Sequence, residues 1–170
     1  MARSYSNNYW LPATCSSLVR SIAWKRARSI SSPRLPLTAE RLQGGCFCGE
    51  IRYEVLGPEK FACLCHCESC QRAAGAPVVA WATYARETFV VTRGEMHWHH
   101  SSPGVTRGGC RNCGTSMTYE HEGREGDIDV TLNSLDDPCA PTLRAHIWTE
   151  DSQPWLRISD DLPLYRRNVG

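Results

Sequence analysis

A chain of 170 residues is long enough to bury its own apolar core, so its ten cysteines are not needed as a disulfide framework. Formal net charge is +1, yet residues 1–40 hold six basic groups and one acid, which leaves 13 basic and 17 acidic groups in 41–170. An acidic body argues against a broad phosphate-binding face, and no run of about 18 apolar residues supports a membrane-spanning helix, so neither nucleic acid nor membrane is an expected partner.

Residues 1–40 are Arg- and Ser-rich, almost acid-free and weakly patterned. They read as a basic extension: a disordered arm, a transit-peptide-like leader, or translation from a start codon placed too early. No uninterrupted apolar h-region of a secretory signal is present. The expectation is a cytoplasmic protein with its folded domain at 41–170.

Order is predicted to begin near "LQGGCFCGEIRYEVLG". The segment "EIRYEV" alternates and is rich in strand formers, with Gly-Pro behind it as a turn. "KFACLC" reads as a second strand, whose alternation puts Cys63, Cys65 and Cys67 on one face and Leu64 and His66 on the other. "CESCQRAAG" reads as a turn or one-turn helix closed by Gly75. "PVVAWATY", "TFVVTRG" and "EMHWHHS" are strands. "SSPGVTRGGCRNCGTS" reads as a glycine-rich loop with a tight knuckle. "SMTYE", "DIDVTL" and "LRAHIWTE" are further strands, and a short helix is expected to start at Asp136 in "LDDPCAPT". Many short strands and few helices predict a mainly β fold of small coiled sheets.

Seven cysteines fall into three groups: Cys46 and Cys48; Cys65, Cys67 and Cys70; Cys110 and Cys113. In "CRNCG" two thiols separated by two residues and followed by glycine can aim both sulfurs at one metal from a single tight turn. The pair is half a site, and "CFC" supplies the other half of a four-thiolate zinc. "CHCESC" then stands as a separate group of three. Three protein ligands and an open position characterise catalytic zinc, whereas Cys63 or His66 as a fourth ligand would make a second closed site. A dithiol redox centre is a further alternative, although neither CxxC lies in a βαβ unit.

Other candidates are less specific. Arg72 and Arg107 could each hold a carboxylate, with a solvated arginine the simpler reading. His97 and His99 share a strand face and His100 points away; a satisfied or exposed histidine is the default for each. Trp81, Trp98, Trp148 and Trp155 read as core or pocket wall. Cys15 and Cys139 lack partners at ligand spacing and read as free thiols.

The segments "GGCFCGEIRYEV", "CHCESCQRAAGAPVVAWATY", "SSPGVTRGGCRNCGTSMTYE" and "HIWTEDSQPWLRISDDLPLY" follow one another in an order that resembles the glutathione-dependent formaldehyde-activating enzyme family. That family also takes in centromere protein V-like proteins. The resemblance covers residues 42–166 and leaves residues 1–40 and Cys63 without a counterpart. It implies an Mss4-like fold of short antiparallel sheets stapled by two zinc ions. A structural zinc would lie on Cys46, Cys48, Cys110 and Cys113, and a catalytic one on Cys65, Cys67 and Cys70. The implied activity is that of a carbon–sulfur lyase resembling S-(hydroxymethyl)glutathione synthase, with glutathione and an aldehyde as small-molecule partners. The alternatives are a non-catalytic zinc-stabilised binding module of the centromere protein V type, or the same fold acting on another thiol and aldehyde.

Overall fold

The structure, a computed structural model, describes residues 41–169. The expectations placed on residues 1–40, Cys15 included, lie outside the described residues. Two sheets carry the domain. The smaller is antiparallel and has the order β1-β2-β5, with β1 Arg41–Gly45, β2 Arg52–Leu56 and β5 Phe89–Arg93. The larger has the order β10-β3-β4-β9-β8-β7-β6. Its strands are β3 Phe61–Cys65, β4 Val79–Ala85, β6 His97–Ser102, β7 Val105–Gly109, β8 Ser116–His121, β9 Asp127–Thr131 and β10 His146–Ile147. One helix, α1 Glu68–Ala74, follows β3. The mainly β expectation is met, with one parallel pair, β10 beside β3, among otherwise antiparallel neighbours.

Strand alternation gives the large sheet two distinct faces. One face turns Ala62, Ala82, Tyr84, Met117, Ile128 and Val130 towards Ile51, Tyr53 and Val55 of the small-sheet side, forming the main core. Burial of each large apolar side chain here is worth about 1.5–3 kcal/mol relative to exposure. Tyr53 also reaches across to Ser134, with 2.6 Å between the hydroxyl oxygens, and Arg52 forms an ion pair with Asp136.

The opposite face carries a second cluster: Cys63, Cys65, Cys70, Val79 and Trp81, with Tyr119 and Trp148 packed against it. Trp148 adopts a left-handed backbone, φ 57° and ψ 40°, the sole non-glycine with positive φ among the described residues. A tryptophan held there stores local strain that its surroundings must offset.

Five readings of the sequence need correction. The "GVTRGG" segment is a strand, β7, hairpinned to β6 through Gly104 at φ 72°. Its glycines are packing sites, not loop residues: a Cβ on Gly108 would lie 2.4 Å from Thr118 Oγ1 and 2.8 Å from the Trp98 ring. "LRAHIWTE" yields only the two residues of β10, and no helix starts at Asp136, where prolines at 138 and 141 deny the amide hydrogens a helix needs. "RLQGG" forms β1, which sequence patterning did not mark. Cys139 is disulfide-bonded rather than free.

Candidate functional site

Two groups of sulfurs converge. Cys46 and Cys48 leave β1 in a turn closed by Gly49, and Cys110 and Cys113 occupy the turn between β7 and β8. Their four Sγ atoms lie within 4.8 Å of one another. Cys46 Sγ is 3.5 Å from Cys48 Sγ, which is 3.8 Å from Cys110 Sγ. Sulfurs at the corners of a tetrahedron with metal–sulfur bonds of about 2.3 Å stand about 3.8 Å apart, so the four thiols fit a zinc ion. Donors also converge on the sulfurs: Ile51 N–H on Cys46 at 3.2 Å and the Asn112 amide on Cys48 at 3.5 Å. Burial pushes the Cys110 thiol up to about 12. Burial also pushes at Cys113, but hydrogen bonds from Thr115 outweigh it and bring this thiol down to about 6.

The second group gathers Cys65, Cys67 and Cys70, again within 4.8 Å. Cys65 ends β3. Cys67 is not on the strand, as alternation suggested; it is the N-cap of α1 and its sulfur accepts the Cys70 N–H at 3.3 Å. Gly75, left-handed at φ 62°, ends the helix as expected. Hydrogen bonds from Cys65 and Cys67, helped by Arg107, hold Cys70 far below the ordinary thiol range, while the hydrogen bonds to Cys67 and Cys70 raise Cys65. Cys63 faces the same side but is outside the group, and burial pushes it up to about 12. It is a neutral core thiol. His66 points to the other side, into a hydrogen bond with His146. Neither residue joins the three sulfurs.

One cross-strand row explains how the rest of the site is assembled. The ladder registers place Phe61, Thr83, Asp129, Tyr119, Arg107 and His99 side by side across β3, β4, β9, β8, β7 and β6. All therefore stand on the face that carries the three-thiol group. Thr83 donates to Asp129 at 2.6 Å, Asp129 pairs with Arg124, and the guanidinium of Arg107 lies 4.9 Å above the Tyr119 ring. Desolvation raises the Asp129 carboxyl above its usual range despite Arg124.

Arg107 is the largest departure from expectation. Instead of a solvated loop residue it is 3% exposed, with Nη2 3.8 Å from Cys70 Sγ and Nε 3.1 Å from Ser101 Oγ. The signal was present in "VTRGG", where period-2 alternation aligns Arg107 with Val105 and Gly109. The glycines around it hid the strand. Arg72 does behave as a surface arginine, bonded to Glu68 four residues earlier.

Beside Arg107 opens a cavity of about 830 Å³, lined by Ser69, Arg72, His97, His99, Arg107 and Arg111 among others. Its volume is in the range of small-molecule sites. The His97 and His99 rings stack at 5.6 Å on its wall, as their shared face predicted. Cys65, Cys67 and Cys70 do not line the cavity, whereas Cys110 of the four-thiol group and Arg107, the neighbour of Cys70, do. Trp81 is buried and Trp155 is 68% exposed, at the rim of a smaller cavity. Among the described residues no helix is long and apolar enough to cross a membrane.

The family model of the glutathione-dependent formaldehyde-activating enzyme matches residues 41–151. No curated protein matches the chain. Among solved structures, the crystal structure of a Rhodobacter sphaeroides protein from a structural-genomics programme is similar at 21% identity and a TM-score of 0.46, over 54% of this chain and 85% of that one. A match over well more than half of the sequence, containing all seven clustered cysteines, means that the chain belongs to the glutathione-dependent formaldehyde-activating enzyme family.

Proposed function

We propose that the protein is a zinc-dependent enzyme of carbon–sulfur chemistry that joins a thiol to an aldehyde, with glutathione and formaldehyde as the first pair. Cys46, Cys48, Cys110 and Cys113 would hold a structural zinc, and Cys65, Cys67 and Cys70 a second, catalytic zinc. The observation that carries this reading is a three-sulfur group, one short of a closed tetrahedron, in contact through Cys70 with an arginine that also lines a cationic cavity.

When bound there, zinc would supply a centre that stabilises a thiolate at neutral pH. Held by three thiolates it is a poorer Lewis acid than on three histidines, so capture of a thiol suits it better than activation of water. The chain's own part is binding and orientation. Cys65, Cys67 and Cys70 fix the centre on the end of a strand and the first turn of a helix. Arg72, Arg107 and Arg111 make the cavity attractive to the carboxylates of a thiol peptide. Holding two reactants together in that space would provide most of the modest acceleration this addition needs.

The test is the rate of exchange between free and glutathione-bound formaldehyde by two-dimensional exchange NMR, comparing wild type with Cys67→Ser at matched concentration. Faster exchange with wild type is the expected result. Equal rates, with cobalt spectra of the metal-substituted protein unmoved by glutathione, would transfer the reading to another thiol and aldehyde or to a non-catalytic binding module.

A further inference from the structure

Arg107 is a buried cation without a carboxylate partner among the described residues. A guanidinium held away from water is costly unless something anionic faces it. Its neighbours are a serine hydroxyl, an aromatic face and the sulfur of Cys70. Of these only the sulfur can carry negative charge at neutral pH. The strand register holds the guanidinium there: Tyr119 on β8 and His99 on β6 flank Arg107 across the sheet. The same residue forms part of the cavity wall.

We infer that Arg107 is the built-in counter-charge of the three-thiolate site and determines that its fourth ligand, entering from the cavity, is an anion. This rests on the reading that Cys65, Cys67 and Cys70 bind zinc. Three thiolates on one divalent ion leave one net negative charge, and an incoming thiolate would raise it to two. Without a nearby cation that addition is opposed by like-charge repulsion in a poorly solvated setting. Arg107 offsets the first negative charge, so the entering thiolate meets a locally neutral centre. Arg72, paired with Glu68 at the surface, cannot do this. Arg107 is thus a positioning and specificity residue, not a ligand.

The experiment uses the full chain substituted with cobalt(II), whose visible spectrum reports each ligand entering the site. Wild type, Arg107→Met and Arg107→Lys are titrated with 2-mercaptoethanol, which binds as an anion, and with imidazole, which binds neutral. Arg107→Met should weaken mercaptoethanol binding by about 10-fold or more, the order expected for loss of a charged partner, and leave imidazole binding within about twofold. Arg107→Lys should keep mercaptoethanol binding within about threefold of wild type. Equal losses for both ligands in Arg107→Met would overturn the inference, since that is the mark of a merely structural arginine. If Arg107→Met does not fold, Arg107→Lys decides alone: a 10-fold loss of mercaptoethanol binding with full cobalt content overturns a charge-based role. Wild type that takes up one cobalt instead of two would instead sink the underlying metal assignment.

Discussion

The rings of His66 and His146 share a 2.8 Å hydrogen bond, Nε2 to Nδ1, although the residues are 80 positions apart and both are almost fully buried. His146 Nε2 lies 3.0 Å from both carboxylate oxygens of Asp160. With both rings neutral, His146 donates to Asp160 and accepts from His66. His66 Nδ1 is then a buried acceptor with no partner among the described residues. Because His66 sits between Cys65 and Cys67, this chain of bonds ties the three-sulfur group to a carboxylate beyond the stretch matched by the family model.

Asp160→Ala should therefore loosen the second cluster while sparing the first. In a chelator competition, the zinc proposed for Cys65, Cys67 and Cys70 should leave at a lower chelator concentration than in wild type, and the zinc proposed for the other group at the same concentration. Unchanged release of both would show that the histidine pair holds its place without the carboxylate.

The two sulfur groups should differ in what their loss does to folding. Cys48 and Cys110 are 62 residues apart, so the first group joins distant segments, whereas the second spans one short run. Structural zinc contributes folding energy outright, on the order of 10 kcal/mol. Cys113→Ser is expected to aggregate or melt non-cooperatively, and Cys67→Ser to remain folded with one zinc by elemental analysis. The reverse order in thermal melts would invert the roles proposed for the two groups.

Arg124→Ala strands the Asp129 carboxylate, which among the described residues only Thr83 would then satisfy. At neutral pH the expected cost is about 1–3 kcal/mol. Desolvation already raises this carboxyl in the native state, and removing Arg124 raises it further. A raised folded-state value means stability that is present at low pH and lost as pH rises through that value. The difference in melting temperature between wild type and variant should accordingly shrink from pH 8 to pH 5. A constant difference would mean that Asp129 is not the group responding.

Gly108→Ala tests the strand that sequence patterning read as a loop. Thr118 is fully buried and the Trp98 ring lies against the same spot, so the added methyl group has no room. Overpacking of this kind costs about 1–3 kcal/mol. A zinc-loaded variant melting like wild type would show that β7 can shift outward.

Much of this architecture was legible from spacing alone. The pairing of "CFC" with "CRNC" and the separateness of "CHCESC" follow from ligand geometry, and β2 to β6, β8 and β9 follow from alternation. What escaped was tertiary. β7 is masked by glycines that exist because Trp98 and Thr118 crowd it. β10 is two residues long because its pairing with β3 is a brief parallel contact. Arg107 read most simply as a solvated arginine, since nothing in a linear pattern tells which strands will be covered on both faces.

Contact distance along the chain also sets an order of events during synthesis and refolding. Closing the loop from Cys65 to Cys70 takes almost no chain entropy, whereas bringing Cys48 to Cys110 must await most of both sheets. A metal ion that meets the nascent chain can be captured by the local triplet long before the distant quartet exists. Metal supply during expression should thus govern yield through the late, long-range closure. On the zinc assignment proposed above, chains starved of zinc would stall with two unjoined sheets, their edges open to pairing with other copies.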